Sequence, residues 1–307
     1  MNRLPLPVLL VVLALVPAPA RAQVKGVKLP EGTTEHRELR YGDHKERNTL
    51  DLFIPKSDKP LPLIIWVHGG AWQGGSKAGP NPALQFLAKG YAVAAINYRL
   101  SQHALYPAQI QDCKEAVRFL RAHAGKYNLD PDRFGVWGAS AGGHLVALLG
   151  TTGGEKTLQR PDSPHKEVSD RVQCVVDFFG PIDLTKMAAQ ALAEPAGAKS
   201  KFDHDAPNSP ESKLVGGPIQ KNKEKAATAN PINYLDKADA PVLMLHGDSD
   251  PLVPLGQSEI FLDALKEGGV EAELVVIKGG GHGGAGFASK ENNRKIEAFF
   301  ETHLRKK

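Results

Sequence analysis

The sequence predicts an α/β fold: a mostly parallel sheet flanked by helices, with one long insertion before the strand at 242–245. Three observations carry this. From residue 60 onward, short apolar runs alternate with helix-like segments, the rhythm of a parallel sheet with right-handed helical crossovers. The runs are nearly continuous rather than alternating, as suits strands covered on both faces. Gly138-Ala139-Ser140-Ala141-Gly142 stands between one such run and a helix start, the place where a parallel strand turns sharply into a helix.

The elements follow in order. Residues 36–41 and 49–54 alternate in polarity and predict an antiparallel pair at one sheet edge. Buried strands are predicted at 63–67, 91–96, 134–137, 173–179, 242–245 and 273–277. Helices are expected at 83–89, 108–124, 142–150 and 257–267, with a last one carrying Ile296, Phe299, Phe300 and Leu304 on one side. Ile110, Cys113, Val117 and Leu120 recur at helical spacing, so Cys113 reads as a core residue. Cys174 falls inside a strand-like run, and two cysteines do not make a disulfide scaffold. The stretch 183–237 breaks the rhythm. It is rich in Ala, Lys, Pro, Asn and Ser, and reads as a lid-like insertion above the sheet's carboxyl edge.

The first 22 residues have the form of a secretory signal peptide. Arg3 is followed by an apolar run at 9–16 and by Ala20-Arg21-Ala22, a small-x-small cleavage pattern ahead of Gln23. The run is short of the about 20 apolar residues a membrane span needs, and no cysteine follows it to carry a lipid. The expectation is a secreted or periplasmic protein, cleaved after about Ala22, with a single domain over 23–307 and no membrane association. Without the leader the formal charge falls from +4 to +2, because Arg3 and Arg21 leave and no acid does. Near-balance argues against nucleic-acid binding. The nearest thing to a basic cluster, Lys201, Lys213, Lys221, Lys223 and Lys225, is interleaved with Pro, Ser and Glu and reads as solvated surface.

Ser140 is the candidate nucleophile. A serine hydroxyl needs a base to take its proton and a third group to hold that base. His246-Gly247-Asp248-Ser249-Asp250-Pro251-Leu252-Val253-Pro254 follows one strand and Lys278-Gly279-Gly280-Gly281-His282-Gly283-Gly284 follows another. Ser, then Asp, then His is the chain order expected on a parallel sheet. His282 sits among five glycines without apolar neighbours and is the candidate base. His144 is too close to Ser140 in sequence, and His246 precedes the acid at a strand end. Asp248, Asp250 and Asp183 all remain open as the acid on this reading. The tetrahedral oxyanion requires donors; the N–H groups of the turn His68-Gly69-Gly70-Ala71-Trp72 and of Ala141 are the candidates.

Together these residues resemble the α/β-hydrolase superfamily in its esterase/lipase branch, and most of all secreted esterases of the bifunctional acetylxylan/feruloyl type. The likeness runs from about His36 to Leu304. It rests on HGGAW at 68–72, NYRL at 97–100, YPAQIQD at 106–112, DPDRFGVWGASAGGH at 130–144, FFGPIDL at 178–184, HGDSDPLVP at 246–254 and GGGHGG at 279–284. The resemblance implies that the acid is Asp250, the second aspartate of its motif, and that Gly70, Ala71 and Ala141 are the oxyanion donors. Ala71 stands where relatives carry a third glycine; only its N–H is needed, so the departure is expected to cost little.

The resemblance also implies a secreted serine esterase acting on small esters or acylated carbohydrate, such as acetyl or feruloyl groups on plant polysaccharide, without metal or organic cofactor. Trp72 and Leu252 are candidate pocket walls, with a core role as the alternative for each. Rival readings are an amidase, peptidase or arylformamidase-like hydrolase on the same scaffold, and a catalytically silent binding module. The last is disfavoured because every catalytic part is in place.

Overall fold

The computed structural model describes residues 28–194, 200 and 202–305, so the expected signal peptide lies outside the described residues. Eight strands form one sheet: β1 (Thr34–Arg40), β2 (Thr49–Ile54), β3 (Leu61–Val67), β4 (Ala92–Ile96), β5 (Leu129–Ala139), β6 (Cys174–Phe178), β7 (Val242–Gly247) and β8 (Ala272–Ile277). Their spatial order is β1-β2-β4-β3-β5-β6-β7-β8. The pairs β1–β2 and β2–β4 are antiparallel and the rest are parallel. The early alternating segments thus form the antiparallel edge, as their pattern predicts.

Every residue of β3, β4, β6 and β7 is buried, and successive side chains feed two cores because strand side chains alternate between faces. Leu63, Ile65, Val136, Val175 and Met244 pack toward α1 (Ala108–Ala122), α2 (Ala141–Thr151) and α6 (Gly256–Glu267). Ile64, Trp66, Trp137, Val176 and Leu243 pack toward α7 (Lys290–Leu304) and a helical segment at Pro82–Lys89. Cys113 belongs to the first core and Cys174 to the second, both as free thiols.

Three elements depart from the sequence expectation. Pro82–Lys89 is a 3-10 helix, opened by Asn81, whose side chain accepts the Ala83 N–H, and closed by Gly90 at φ 75°. β8 is not buried on both faces: Val276 is 43% exposed, because β8 is the outermost strand and its helices cover it only in part. The described part of the insertion, where no element is predicted, carries short helices joined by irregular chain: α3 (Met187–Ala193), α4 (Pro210–Val215) and α5 (Lys223–Thr228). It is fastened to the body, for example by the Tyr106 hydroxyl donating to Thr228 O (2.6 Å) and by Gln257, whose Oε1 accepts the Ile182 and Asp183 N–H groups.

Because β3 and β5 through β8 are parallel, their carboxyl ends share one rim. The loops that leave those ends carry all the candidate site residues.

Candidate active site

Ser140 is the single residue between β5 and α2, at φ 57° and ψ −125°. A non-glycine residue there is strained by about 1–3 kcal/mol, a conformation that persists only where the surroundings impose it. They do so from both sides. Ser140 N–H donates to Phe178 O at the end of β6 (2.8 Å), and Ser140 O accepts the His144 N–H (3.0 Å). Gly142 is required by close approach, since a Cβ there would strike the Val67 carbonyl oxygen.

The acid and the base lie at the ends of β7 and β8. His282 Nδ1 and Asp250 Oδ2 are 2.7 Å apart, with the acid fully buried and the imidazole partly exposed. The other carboxylate oxygen accepts the N–H groups of Leu252 (2.8 Å) and Val253 (3.0 Å). Burial pushes the Asp250 carboxyl up, but His246, His282 and the Val253 N–H outweigh it and hold it well below the usual carboxylate range. Asp250 therefore stays ionised beside the imidazole. An anion there keeps the proton on Nδ1 and leaves Nε2 free to act as a base.

The alternatives left open by sequence go elsewhere. Asp248 accepts the Gly279 N–H (2.7 Å) and so braces the histidine loop rather than the ring. Asp183 binds Thr185 within its own turn. His144 is fully buried, its nitrogens paired with Trp72 Nε1 (3.2 Å) and Ala229 O (2.7 Å); burial, only partly offset by the Ala229 contact, pushes it down to about 4.

The loop after β3 approaches the serine turn closely enough that a Cβ on Gly69 would lie 2.6 Å from Ala139 O and 3.2 Å from Ser140 Cβ. Gly70 (φ 117°), Ala71 (φ 53°) and Trp72 (φ 55°) all have positive φ. Among the described residues, no backbone hydrogen bond engages the N–H groups of Gly70, Ala71 or Ala141, the last at the amino end of α2. Two expectations change here. Trp72 is not a pocket wall: it is 1% exposed, its indole N–H held by His144 and its carbonyl by the Ser101 N–H (2.8 Å). It anchors the loop in the core. Ala71 is in the left-handed region, where glycine is the residue without penalty, so its replacement of glycine does carry a conformational cost. Leu252 is half-buried and contributes its N–H to Asp250.

The structure joins His282 to Asp250, whereas no hydrogen bond joins Ser140 Oγ to His282. The turn after β6 contacts both residues. Phe178 holds the Ser140 N–H, while Phe179, at φ 44°, lays its ring against His282 (centroids 4.4 Å apart). His246, set aside as a base on sequence grounds, lies at the end of β7, fully buried and bonded to Ser258 Oγ (2.7 Å) and Val253 O (2.9 Å), with Nε2 3.5 Å from Asp250. Its position four residues before the acid was the one available signal of that proximity. A cavity of about 490 Å³ adjoins this region, walled by Pro80, Pro82, Trp137, Phe178, Phe179 and Phe287. Among the described residues, no group of His, Cys, Asp or Glu is placed to hold a metal ion.

A serine on a strained strand-to-helix turn, at the rim of a mostly parallel eight-stranded sheet that also carries an Asp–His pair, defines an α/β-hydrolase of the esterase branch. More narrowly, residues 50–265 match the BD-FAE family model, and the chain belongs to that family. It is 32% identical over 236 residues, 75% of its length, to the probable carboxylic ester hydrolase LipM of Mycobacterium tuberculosis, of which it spans 51%. The curated relatives LipM, LipC and LipQ are all longer, and the chain spans 51–64% of them. Among solved structures it resembles a truncated carbohydrate esterase from gut microbiota (TM-score 0.79, 32% identity, 88% of this chain and 96% of that one). It also resembles an acetyl ester-xyloside bifunctional hydrolase from Caldicellulosiruptor lactoaceticus (TM-score 0.68, 30% identity, 85% and 90%).

Proposed function

We propose that this chain is a secreted serine hydrolase of carboxylic esters, with acyl groups on plant polysaccharide as its substrates. The observation that carries the reading is the 2.7 Å contact between His282 and a buried, ionised Asp250 at the rim that also bears Ser140. Ser140 Oγ attacks the ester carbonyl carbon as His282 Nε2 takes its proton. Asp250 fixes the imidazole and balances the charge it gains. The carbonyl oxygen becomes an oxyanion facing the N–H groups of Gly70, Ala71 and Ala141, donors that no other group among the described residues occupies. His282 returns the proton to the leaving alkoxide, and water then releases the acyl group by the same steps in reverse. In the free protein Ser140 and His282 are not yet bonded; catalytic hydrogen bonds often tighten only with substrate bound.

The substrate class rests on the likeness to the carbohydrate esterase and the acetyl ester-xyloside hydrolase. Export rests on the leader-like first 22 residues. A panel of p-nitrophenyl acetate, acetylated xylan, methyl ferulate, an N-formyl aromatic amine and matched amides tests the reading. Ester turnover that Ser140→Ala abolishes is expected; faster cleavage of the amides or the formamide would reassign the chain to a rival acyl hydrolase.

A further inference from the structure

The oxyanion loop is held from beneath by a cation that the chemistry itself does not call for. Arg47 lies just before β2 and is 8% exposed. Its Nε donates to Tyr98 O (2.8 Å), Nη1 and Nη2 donate to Gly75 O (3.2 and 3.3 Å), and Nη2 reaches His68 Nε2 (3.2 Å). One guanidinium thus grips both ends of the loop 68–75. The grip is compact, for a Cβ on Gly75 would sit 2.6 Å from His68 Nδ1.

The contact with His68 has a directional consequence. A guanidinium only donates hydrogen bonds, so His68 Nε2 must accept and the ring proton must be on Nδ1. That proton is then donated to Gly69 O, 2.7 Å away. His68 is kept neutral because burial, opposed by the Gly69 contact and helped by the Arg47 charge, pushes it down to about 4. The ring cannot swing, being stacked on Tyr98 (centroids 4.4 Å, 15° between planes), whose hydroxyl also donates to His68 O (2.9 Å). Gly69 C=O and Gly70 N–H belong to one planar trans peptide and point opposite ways. Fixing the carbonyl toward His68 therefore aims the Gly70 N–H to the opposite side.

We propose that Arg47 is a positioning residue for the oxyanion: through His68 and the Gly69 carbonyl it sets the direction of the Gly70 N–H. This rests on the esterase reading above, in which Gly70 is a donor. Arg47 touches no reacting atom, and its influence falls on the stage at which negative charge develops.

The test compares the full chain with Arg47→Met, His68→Phe, which keeps the stacked ring and loses both nitrogens, and the double variant. The readouts are kcat and KM for p-nitrophenyl acetate, inhibition by an aryl trifluoromethyl ketone, which binds serine hydrolases as an oxyanion adduct, and the melting temperature. Each single variant is expected to lower kcat about 10- to 100-fold, less than outright loss of an oxyanion donor, with KM within threefold and ketone inhibition weakened by a similar factor. The double variant should lose no more than the worse single one, since both act through the same carbonyl. If Arg47→Met does not fold, His68→Phe carries the same expectation. Folded variants that keep kcat and ketone inhibition within twofold, or that lose activity through KM alone, overturn the proposal while leaving the esterase reading intact. Wild-type protein that the ketone does not inhibit and whose turnover survives Ser140→Ala overturns both.

Discussion

The two halves of the rim are built by opposite means. At the ends of β7 and β8, side chains are tied to one another: Asp250 takes His282 on one oxygen and two backbone N–H groups on the other. At the ends of β3 and β5, backbone N–H groups have no partner among the described residues, and the chain is held at unusual φ through Gly70, Ala71, Trp72 and Ser140. Side-chain chemistry needs a fixed proton position, which hydrogen bonds supply. Oxyanion binding needs donors kept open, which only surrounding structure can enforce.

Two buried carboxyls sharpen the contrast. Asp250 accepts three hydrogen bonds, with His246 Nε2 3.5 Å away, and is held anionic. Asp177, at the end of β6 under the serine turn, receives only the Gly180 N–H (2.9 Å), and its Oδ2 has no partner. Burial, opposed by His246 and that N–H, pushes Asp177 up to about 7. Asp177 is both the more deeply buried of the two and the poorer in donors, and both differences favour its neutral form.

The largest break in the comparison comes from its side-chain half. Asp250→Asn should lower kcat by about 10³-fold or more, since the amide no longer fixes the Nδ1 proton. Asp248→Asn keeps an oxygen for the Gly279 N–H and should stay within about threefold of wild type, a surface-like change. Equal losses in steady-state assays would remove Asp250 from its assigned role.

Asp177→Asn tests the other acid through stability. An acid whose pKa folding raises from 3.8 to about 7 holds its full contribution below about pH 4. It loses that contribution as pH climbs to about 7, because the unfolded chain releases its proton first. Asparagine has no such loss. Melting curves should therefore show the variant gaining on wild type by on the order of a few kcal/mol between pH 4 and pH 8. An offset that does not change with pH would contradict the assignment.

Trp72→Phe probes the anchor of the open half. It strips the indole N–H from His144 and leaves a buried ring nitrogen unpaired, at a cost of about 1–3 kcal/mol in thermal or denaturant unfolding. No loss of stability would return Trp72 to the pocket. The smallest effect is expected from Ala71→Gly, where relief at φ 53° is offset by the added freedom of the unfolded chain, for a net change within about 1 kcal/mol.

What the sequence made legible follows from how local each signal is. The inner strands announce themselves by apolar runs, and the stripe Ile110, Cys113, Val117, Leu120 is indeed fully buried. β8 misled because an apolar run does not say whether its strand lies at a sheet edge. Asp248 and Asp250 could not be separated by spacing, since a two-residue step in a loop reverses direction unpredictably; only the resemblance chose between them. Trp72 was ambiguous because its partner, His144, lies 72 positions away. Arg47 and Asp177 left no local mark, and Phe179 left only its place in the motif FFGPIDL. Each acts by contacts with chain brought near only by folding.

The central claim is that the open N–H groups of Gly70, Ala71 and Ala141 face the same point that Ser140 Oγ reaches. A crystal structure of the protein inactivated by a p-nitrophenyl phosphonate addresses it directly. Phosphorus bonded to Ser140 Oγ, with its oxygen about 2.7–3.1 Å from at least two of those nitrogens, is the predicted result. An adduct whose oxygen points to solvent, or one formed on another residue, would contradict the account.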